Sequence, residues 1–158
     1  MAGADAKHLL VVYQSRSGST ASLCDAVVAG AEEGAGDAVS RRVRHALDAG
    51  VDDVLWAEAV ILGTPANFGY MSGVIKDFFE RIYHPCLDRT AGLPYTMFVK
   101  GSTDAAGAVT SIERIVAGLR WRQILPPVVV IGDLGPPHLA EAYELGATVA
   151  AGLEAGIF

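Results

Sequence analysis

Hydroxyl side chains at 15, 17, 19 and 20 crowd the segment Gln14-Ser15-Arg16-Ser17-Gly18-Ser19-Thr20-Ala21-Ser22 around a single glycine. A stretch of helical period follows directly. The first N–H groups of a helix have no intrahelical partner, and the positive end of its dipole lies there, so such a segment predicts an anion pocket. An ordinary N-cap needs one hydroxyl. Four in six positions exceed that need and point to phosphate. The kind of phosphate is narrowed by what is missing. The chain holds no Gly-Lys-Ser or Gly-Lys-Thr triplet of a nucleoside triphosphate loop, and the three spaced glycines of a dinucleotide fingerprint are reduced to Gly18. Ser15 stands where a serine-hydrolase elbow needs its first glycine. A phosphoacceptor domain would end its middle strand in aspartate, where Gly63 and Thr64 stand. A terminal monophosphate is the simplest tenant.

Two further segments are specialised. Gly63-Thr64-Pro65-Ala66-Asn67-Phe68-Gly69-Tyr70-Met71-Ser72-Gly73 carries two aromatic rings on a segment shaped by proline and glycine. Rings held on a loop suit a flat ligand, although Phe68 has the alternative of plugging the sheet end. Tyr70 is the better stacking candidate, because its hydroxyl tolerates a wet rim. Lys100-Gly101-Ser102-Thr103-Asp104-Ala105-Ala106-Gly107 is built of small residues, which let backbone N–H groups approach a planar heterocycle. The same residues also suit a plain strand-to-helix loop with Ser102, Thr103 or Asp104 capping.

The elements that must position these segments are short apolar runs alternating with helical patterns. Leu9 to Tyr13, Ala59 to Leu62, Thr96 to Val99 and Val128 to Ile131 are continuous rather than alternating, which predicts strands buried on both faces of a parallel sheet. A weaker strand is predicted over Ala38 to Val43. Between the strands, Leu23, Val27 and Ala31 form one helical stripe, and Val74, Ile75, Phe78, Phe79 and Ile82 a second. Val109, Ile112, Val116 and Leu119 form a third, and Leu139, Tyr143, Ala150, Leu153 and Ile157 a fourth. Parallel strands require crossovers, which place helices on both sides. The expectation is a single α/β domain over residues 1–158: a three-layer α/β/α sandwich with a five-stranded parallel sheet and about five helices. In such sheets ligands sit beyond the carboxyl ends of the strands, so all three specialised segments belong on one edge.

Composition removes several function classes. The 158 residues are 51% apolar and 19% charged, with a net charge of -6, so the basic footprint of a nucleic-acid binder is missing. No apolar run reaches the length of a spanning helix. The first apolar run ends at Gln14, Ser15 and Arg16, too early for a secretory core. A cytoplasmic protein without membrane or nucleic-acid partners is therefore expected. Cys24 and Cys86 are too few for a disulfide framework or a zinc site. No metal site is expected.

These segments together resemble the flavodoxin-like superfamily over nearly the whole chain. Residues 15–20 are similar to its hydroxyl-rich FMN phosphate loop. Residues 63–73, continuing into Lys76-Asp77-Phe78-Phe79-Glu80-Arg81, resemble the second flavin loop of its NAD(P)H-dependent branch, which includes FMN reductases and quinone reductases of the tryptophan-repressor-binding-protein type. The resemblance implies that Ser15, Ser17, Gly18, Ser19 and Thr20 hold the FMN phosphate, with Arg16 either pairing with it or facing solvent. It implies that Pro65, Ala66, Asn67, Phe68, Gly69 and Tyr70 contact the isoalloxazine from one side, and that Gly101, Ser102, Thr103 and Gly107 line its other edge. It also implies an oxidoreductase that passes electrons from NADH or NADPH through FMN to a quinone or similar small acceptor, with no catalytic side chain of its own. Flavin sites of this branch often lie near subunit interfaces, so a homodimer or higher homo-oligomer belongs to the same expectation. The alternative is a flavodoxin-type one-electron transfer protein. Such carriers bury the flavin between aromatic residues and present a strongly acidic face; a net charge of -6 and a third loop without Tyr or Trp weigh against it.

The remaining motifs read as structure. His84-Pro85-Cys86 suits a helix C-terminus, where a histidine complements the dipole. Trp121 between Arg120 and Arg122 reads as a surface helix end with its ring on the sheet, and Gly135-Pro136-Pro137 after Asp133 as a turn. Arg41, Arg42 and Arg44 read as a solvated edge strand blunted by charge.

Overall fold

The computed structural model describes residues 5–158. Residues 1–4, on which the reading of the N-terminus partly rests, lie outside the described residues. In chain order the elements are β1 (Lys7–Tyr13), α1 (Ser19–Ala35), β2 (Val39–His45), α2 (Val51–Trp56), β3 (Ala59–Asn67), β4 (Tyr70–Met71), α3 (Gly73–Cys86), β5 (Pro94–Gly101), α4 (Ala106–Gly118), β6 (Arg122–Gln123), β7 (Val128–Ile131) and α5 (Pro136–Glu154). The strands run β2-β1-β3-β5 and then β6 and β7, every one of these pairs parallel. The expected five parallel positions are present, and the fifth is split. Pro126 and Pro127 lie in the break and have no N–H to give a ladder. The Thr96 hydroxyl donates to the Leu125 carbonyl at 3.1 Å and holds the break against β5.

Successive strand residues face opposite ways, and the apolar runs divide accordingly. Leu10, Val12, Val60, Leu62, Met97 and Val99 pack with α2, α3 and α4, whereas Leu9, Val11, Ala59, Ile61 and Phe98 pack with α1 and α5. Trp121 belongs to the first of these cores and is not a surface residue. It is 6% exposed, and its indole N–H donates to the Thr90 hydroxyl at 2.9 Å. The edge strand β2 does carry its arginines in the wet layer. Arg42 reaches Asp53 at 3.3 Å and lies 4.2 Å from the centre of the Trp56 ring, and Arg44 reaches Asp53 at 3.8 Å.

α1 and α5 meet at backbone distance. An ideal Cβ on Gly30 would lie 1.9 Å from the Tyr143 carbonyl oxygen, one on Gly146 1.9 Å from that of Val27, and one on Gly34 2.6 Å from that of Ala147. Added atoms at such a seam must push two helices apart. Gly146→Ala is therefore expected to lower unfolding free energy by about 2–4 kcal/mol. Gly50→Ala, where a Cβ would meet nothing within 4 Å, is expected to stay within about 0.5 kcal/mol. Urea titration of both variants checks the contrast.

Both cysteines are free and buried. Burial first, and the neighbouring Asp25 second, push the Cys24 thiol up from 9.0 to about 12. The unfolded chain thus loses this proton near pH 9 while the folded chain keeps it to about 12, so folding stability is undiminished below pH 9 and falls as pH rises between the two values. In that window wild type is expected to lose up to about 1.4 kcal/mol per pH unit more than Cys24→Ala. Denaturant titrations at pH 9, 10 and 11 would refute this if the two slopes coincide.

Candidate functional site

The order of the sheet puts a switch point between β1 and β3, because the chain leaves β1 to one side for β2 and returns on the other for β3. Open parallel sheets take ligands beyond the carboxyl ends at such a point. β1, β3 and β5 are adjacent and parallel, so all three specialised segments share that edge.

The first segment turns sharply into α1. Gly18 caps the helix at φ 97°, a left-handed conformation in which no side chain closes the helix end. The Gly18 N–H donates to the Ser15 hydroxyl at 3.1 Å, and the Ser22 N–H and hydroxyl donate to the Gly18 carbonyl. No backbone acceptor takes the N–H groups of Ser19, Thr20 and Ala21. Thr20 is 2% exposed, and Arg16 is exposed; neither side chain has a partner among the described residues. Beside this segment, Gln14 donates its backbone N–H to the Gly63 carbonyl at 3.0 Å, while its buried Oε1 accepts nothing. A buried unpaired carbonyl oxygen is costly. Unclaimed donors and an orphaned acceptor at one helix end make a site that a polar ligand would complete.

The second segment is not an irregular loop. β3 runs on through Gly63 to Asn67, turns at Phe68-Gly69 and returns as β4, with Asn67 opposite Tyr70 and Ala66 opposite Met71. Both turn residues have positive φ, 52° and 70°, as the tight two-residue hairpin turns that match strand twist require. The base is locked by Thr64, wholly buried. Its hydroxyl donates to the Pro65 carbonyl at 2.8 Å and accepts the Ser72 N–H at 3.0 Å. The Ser72 hydroxyl then caps α3 by accepting the Ile75 N–H. At the tip, Phe68 is fully exposed and does not plug the sheet, and Tyr70 is 42% exposed.

The third segment supports the hairpin from below. An ideal Cβ on Gly107 would lie 1.8 Å from the Gly69 carbonyl oxygen, so the first turn of α4 is the seat of the hairpin tip. Gly101 is likewise a packing position, its absent Cβ 2.4 Å from the Asp104 carbonyl oxygen. Ser102 and Thr103 are exposed. The Asp104 carboxylate accepts the Ala106 N–H at 3.0 Å and opens α4.

This architecture is that of a flavodoxin described from the domain Archaea, with a TM-score of 0.80 over 93% of this chain and 99% of the other at 20% identity. It is also that of a WrbA-like flavodoxin from Agrobacterium tumefaciens, at 0.76 over 97% and 100%, with 18% identity. In sequence, 74 residues are 36% identical to a flavodoxin of Aquifex aeolicus, covering 47% of this chain and 39% of that protein. The chain has the flavodoxin-like fold. This flavodoxin-like chain is also 34% identical over 128 residues to an NAD(P)H dehydrogenase (quinone) of Geobacter sulfurreducens, covering 66% of this chain and 57% of the other. It spans about half the length of the curated relatives it matches. No protein-family model matches it.

Residue types alone left several contributors to this candidate site unseen. Gln14 directly follows the first apolar run, and a polar residue there is the signal that was available. Thr64 and Ser72 are common residues whose roles exist only once the hairpin closes. Phe68 carries the strongest mark of selection for something other than stability. A ring in the left-handed region is strained, and this one packs on nothing. Phe68→Gly is therefore expected to leave unfolding free energy equal or raise it by up to about 1 kcal/mol. A loss of more than that in urea would show that the ring holds the fold.

Proposed function

We propose that this domain binds FMN and acts as an oxidoreductase, taking electrons from NADH or NADPH and delivering them to a quinone or similar small acceptor. The observation that carries the reading is the asymmetry of the site. The hairpin offers the exposed rings of Phe68 and Tyr70 at its tip, whereas the third loop presents only the small side chains of Ser102 and Thr103. A flat ligand held against the hairpin would keep one face open, which suits a donor and an acceptor that visit in turn. A dedicated electron carrier has no use for such access. The sequence likeness to NAD(P)H dehydrogenases (quinone) supports the same reading.

The donor set fits the cofactor. The N–H groups of Ser19, Thr20 and Ala21, with the hydroxyls of Ser15, Ser17, Ser19 and Thr20 around Gly18, would hold a phosphate at the positive end of α1. Arg16, exposed and unpaired, can close over it. The orphaned Oε1 of Gln14 would accept from a ligand hydroxyl. Pro65 to Tyr70 would orient the ring system, with Gly107 fixing the hairpin at its height and Gly101, Ser102 and Thr103 bordering the far edge. FMN itself supplies the ability to accept a hydride and release electrons. The chain's part is to bind, orient and leave a path.

Absorption spectra before and after anaerobic addition of NADPH or NADH test the reading. A flavin spectrum that bleaches is expected, and a colourless protein that takes up no added FMN would overturn it. Thr20→Val, which removes an unpartnered hydroxyl, is expected to weaken FMN binding about tenfold, the size of a hydrogen bond to a charged group. The stability of the apoprotein should not fall. Fluorescence quenching of FMN and urea titration read the two effects separately.

A further inference from the structure

A second feature lies on the far side of the hairpin from the phosphate loop. Gly69 and Tyr70 form the upper wall of a groove of about 430 Å³ that runs down between α3 and α4. Its floor is one face of α4: Gly107, Thr110, Ser111, Arg114 and Ile115 recur at the three- and four-residue spacing that aligns side chains on a helix. From Gly107, the seat of the hairpin, to Arg114 this face descends about 10 Å. Lys76 closes the groove from α3.

The groove is cationic in a chain of net charge -6. Arg114 has no carboxylate or other partner among the described residues. Lys76 has Glu80 at 3.6 Å, but both are solvent-accessible, and such a pair is weak enough to yield to a better anion. The Thr110 hydroxyl is free. The Ser111 hydroxyl is engaged, donating to the Ala108 carbonyl and accepting the Met71 N–H, so it stiffens the wall. A guanidinium fork beside an ammonium suits a phosphomonoester, which carries close to two negative charges at neutral pH. Ile115, which also lines the groove, gives it an apolar wall for a heterocycle.

A ligand filling this groove has one end at the ring-bearing hairpin tip and an anionic end farther down α4. We infer that the groove seats the phosphorylated adenosine end of the reduced dinucleotide, with Lys76 and Arg114 flanking its 2′-phosphate. The inference rests on the oxidoreductase reading above and adds to it that NADPH is preferred to NADH, since that phosphate is the difference between the two.

Calorimetric titration of the FMN-supplemented full chain with 2′,5′-ADP and with 5′-AMP tests the groove without any electron transfer. The bisphosphate is expected to bind at least about tenfold more tightly. Arg114→Gln should bring the two within about threefold, and Lys76→Gln should act in the same direction. Arg122→Gln, which removes the same charge from an exposed residue outside the groove, should retain the wild-type discrimination. Equal affinities in wild type, or discrimination that survives Arg114→Gln, would overturn the assignment. Anaerobic mixing of the same preparations with each dinucleotide separates the two levels. Bleaching without nucleotide discrimination overturns the groove alone, and bleaching by neither dinucleotide overturns the redox reading together with this occupant.

Discussion

Strands β1, β3 and β5 have no face left for water. Leu9 to Val12, Ala59 to Leu62 and Met97 to Val99 are all fully buried, and because side chains alternate along a strand, half of each run points into each of two cores. Such runs can be covered only by a helical layer on both sides, which in turn demands parallel strands joined by crossovers. Everything polar and reactive is thereby displaced to the ends of the strands. The carboxyl edge at the β1–β3 switch is where the three specialised segments collect, and there the helix N-termini bring unpaired N–H groups to the surface.

The same constraint makes the site a set of rigid parts. α1 carries the phosphate-type loop at its start, and its middle is pressed against α5 through Gly30, Gly34 and Gly146. A helix held at backbone distance cannot slide, so its first turn keeps its place. The hairpin is held from two directions. The Thr64 hydroxyl ties its two arms together, and Gly107 receives the Gly69 carbonyl from below. Strain at Phe68 is thus tolerated because its surroundings leave the turn no alternative. The outcome is an aromatic tip that stands in solvent on a stiff support.

Glycine illustrates how composition takes its meaning from position. Gly18 and Gly69 use positive φ to make turns. Gly63, Gly101 and Gly107 instead make room for the Phe98 ring, the Asp104 carbonyl and the Gly69 carbonyl. These tasks are indistinguishable in a list of residues. The first follows from local backbone sterics, and the second, at Gly63 and Gly107, from a neighbour distant in the chain.

Much of the fold is legible in the residue pattern alone. The apolar runs, the helical stripes and the hydroxyl cluster at residues 15–20 depend on local pattern, and most of that pattern survives folding; the run at Val128 to Ile131 forms β7 but leaves Val129 and Ile131 exposed on the outermost strand, and Ile157 lies beyond α5 in solvent. Even the weak strand at β2 was visible, although it runs to His45. The return strand β4 was not, because two residues hold no period and pair only once Asn67 and Tyr70 face each other. Trp121 read as a surface residue because its neighbours are arginines; its burial comes from packing beside Phe79 and Tyr95, with Thr90, 31 positions away, accepting its indole N–H. Side-chain periodicity and the unpaired amides that every helix start has are enough to specify a doubly covered parallel sheet and a hydroxyl-rich helix N-terminus with free N–H groups. That Phe68 stands in solvent, that the side-chain oxygen of Gln14 is buried without a partner, and that Lys76 and Arg114 share a groove came from the folded arrangement alone. Those outcomes turn on which distant segments occupy the neighbouring space, and no local pattern encodes that.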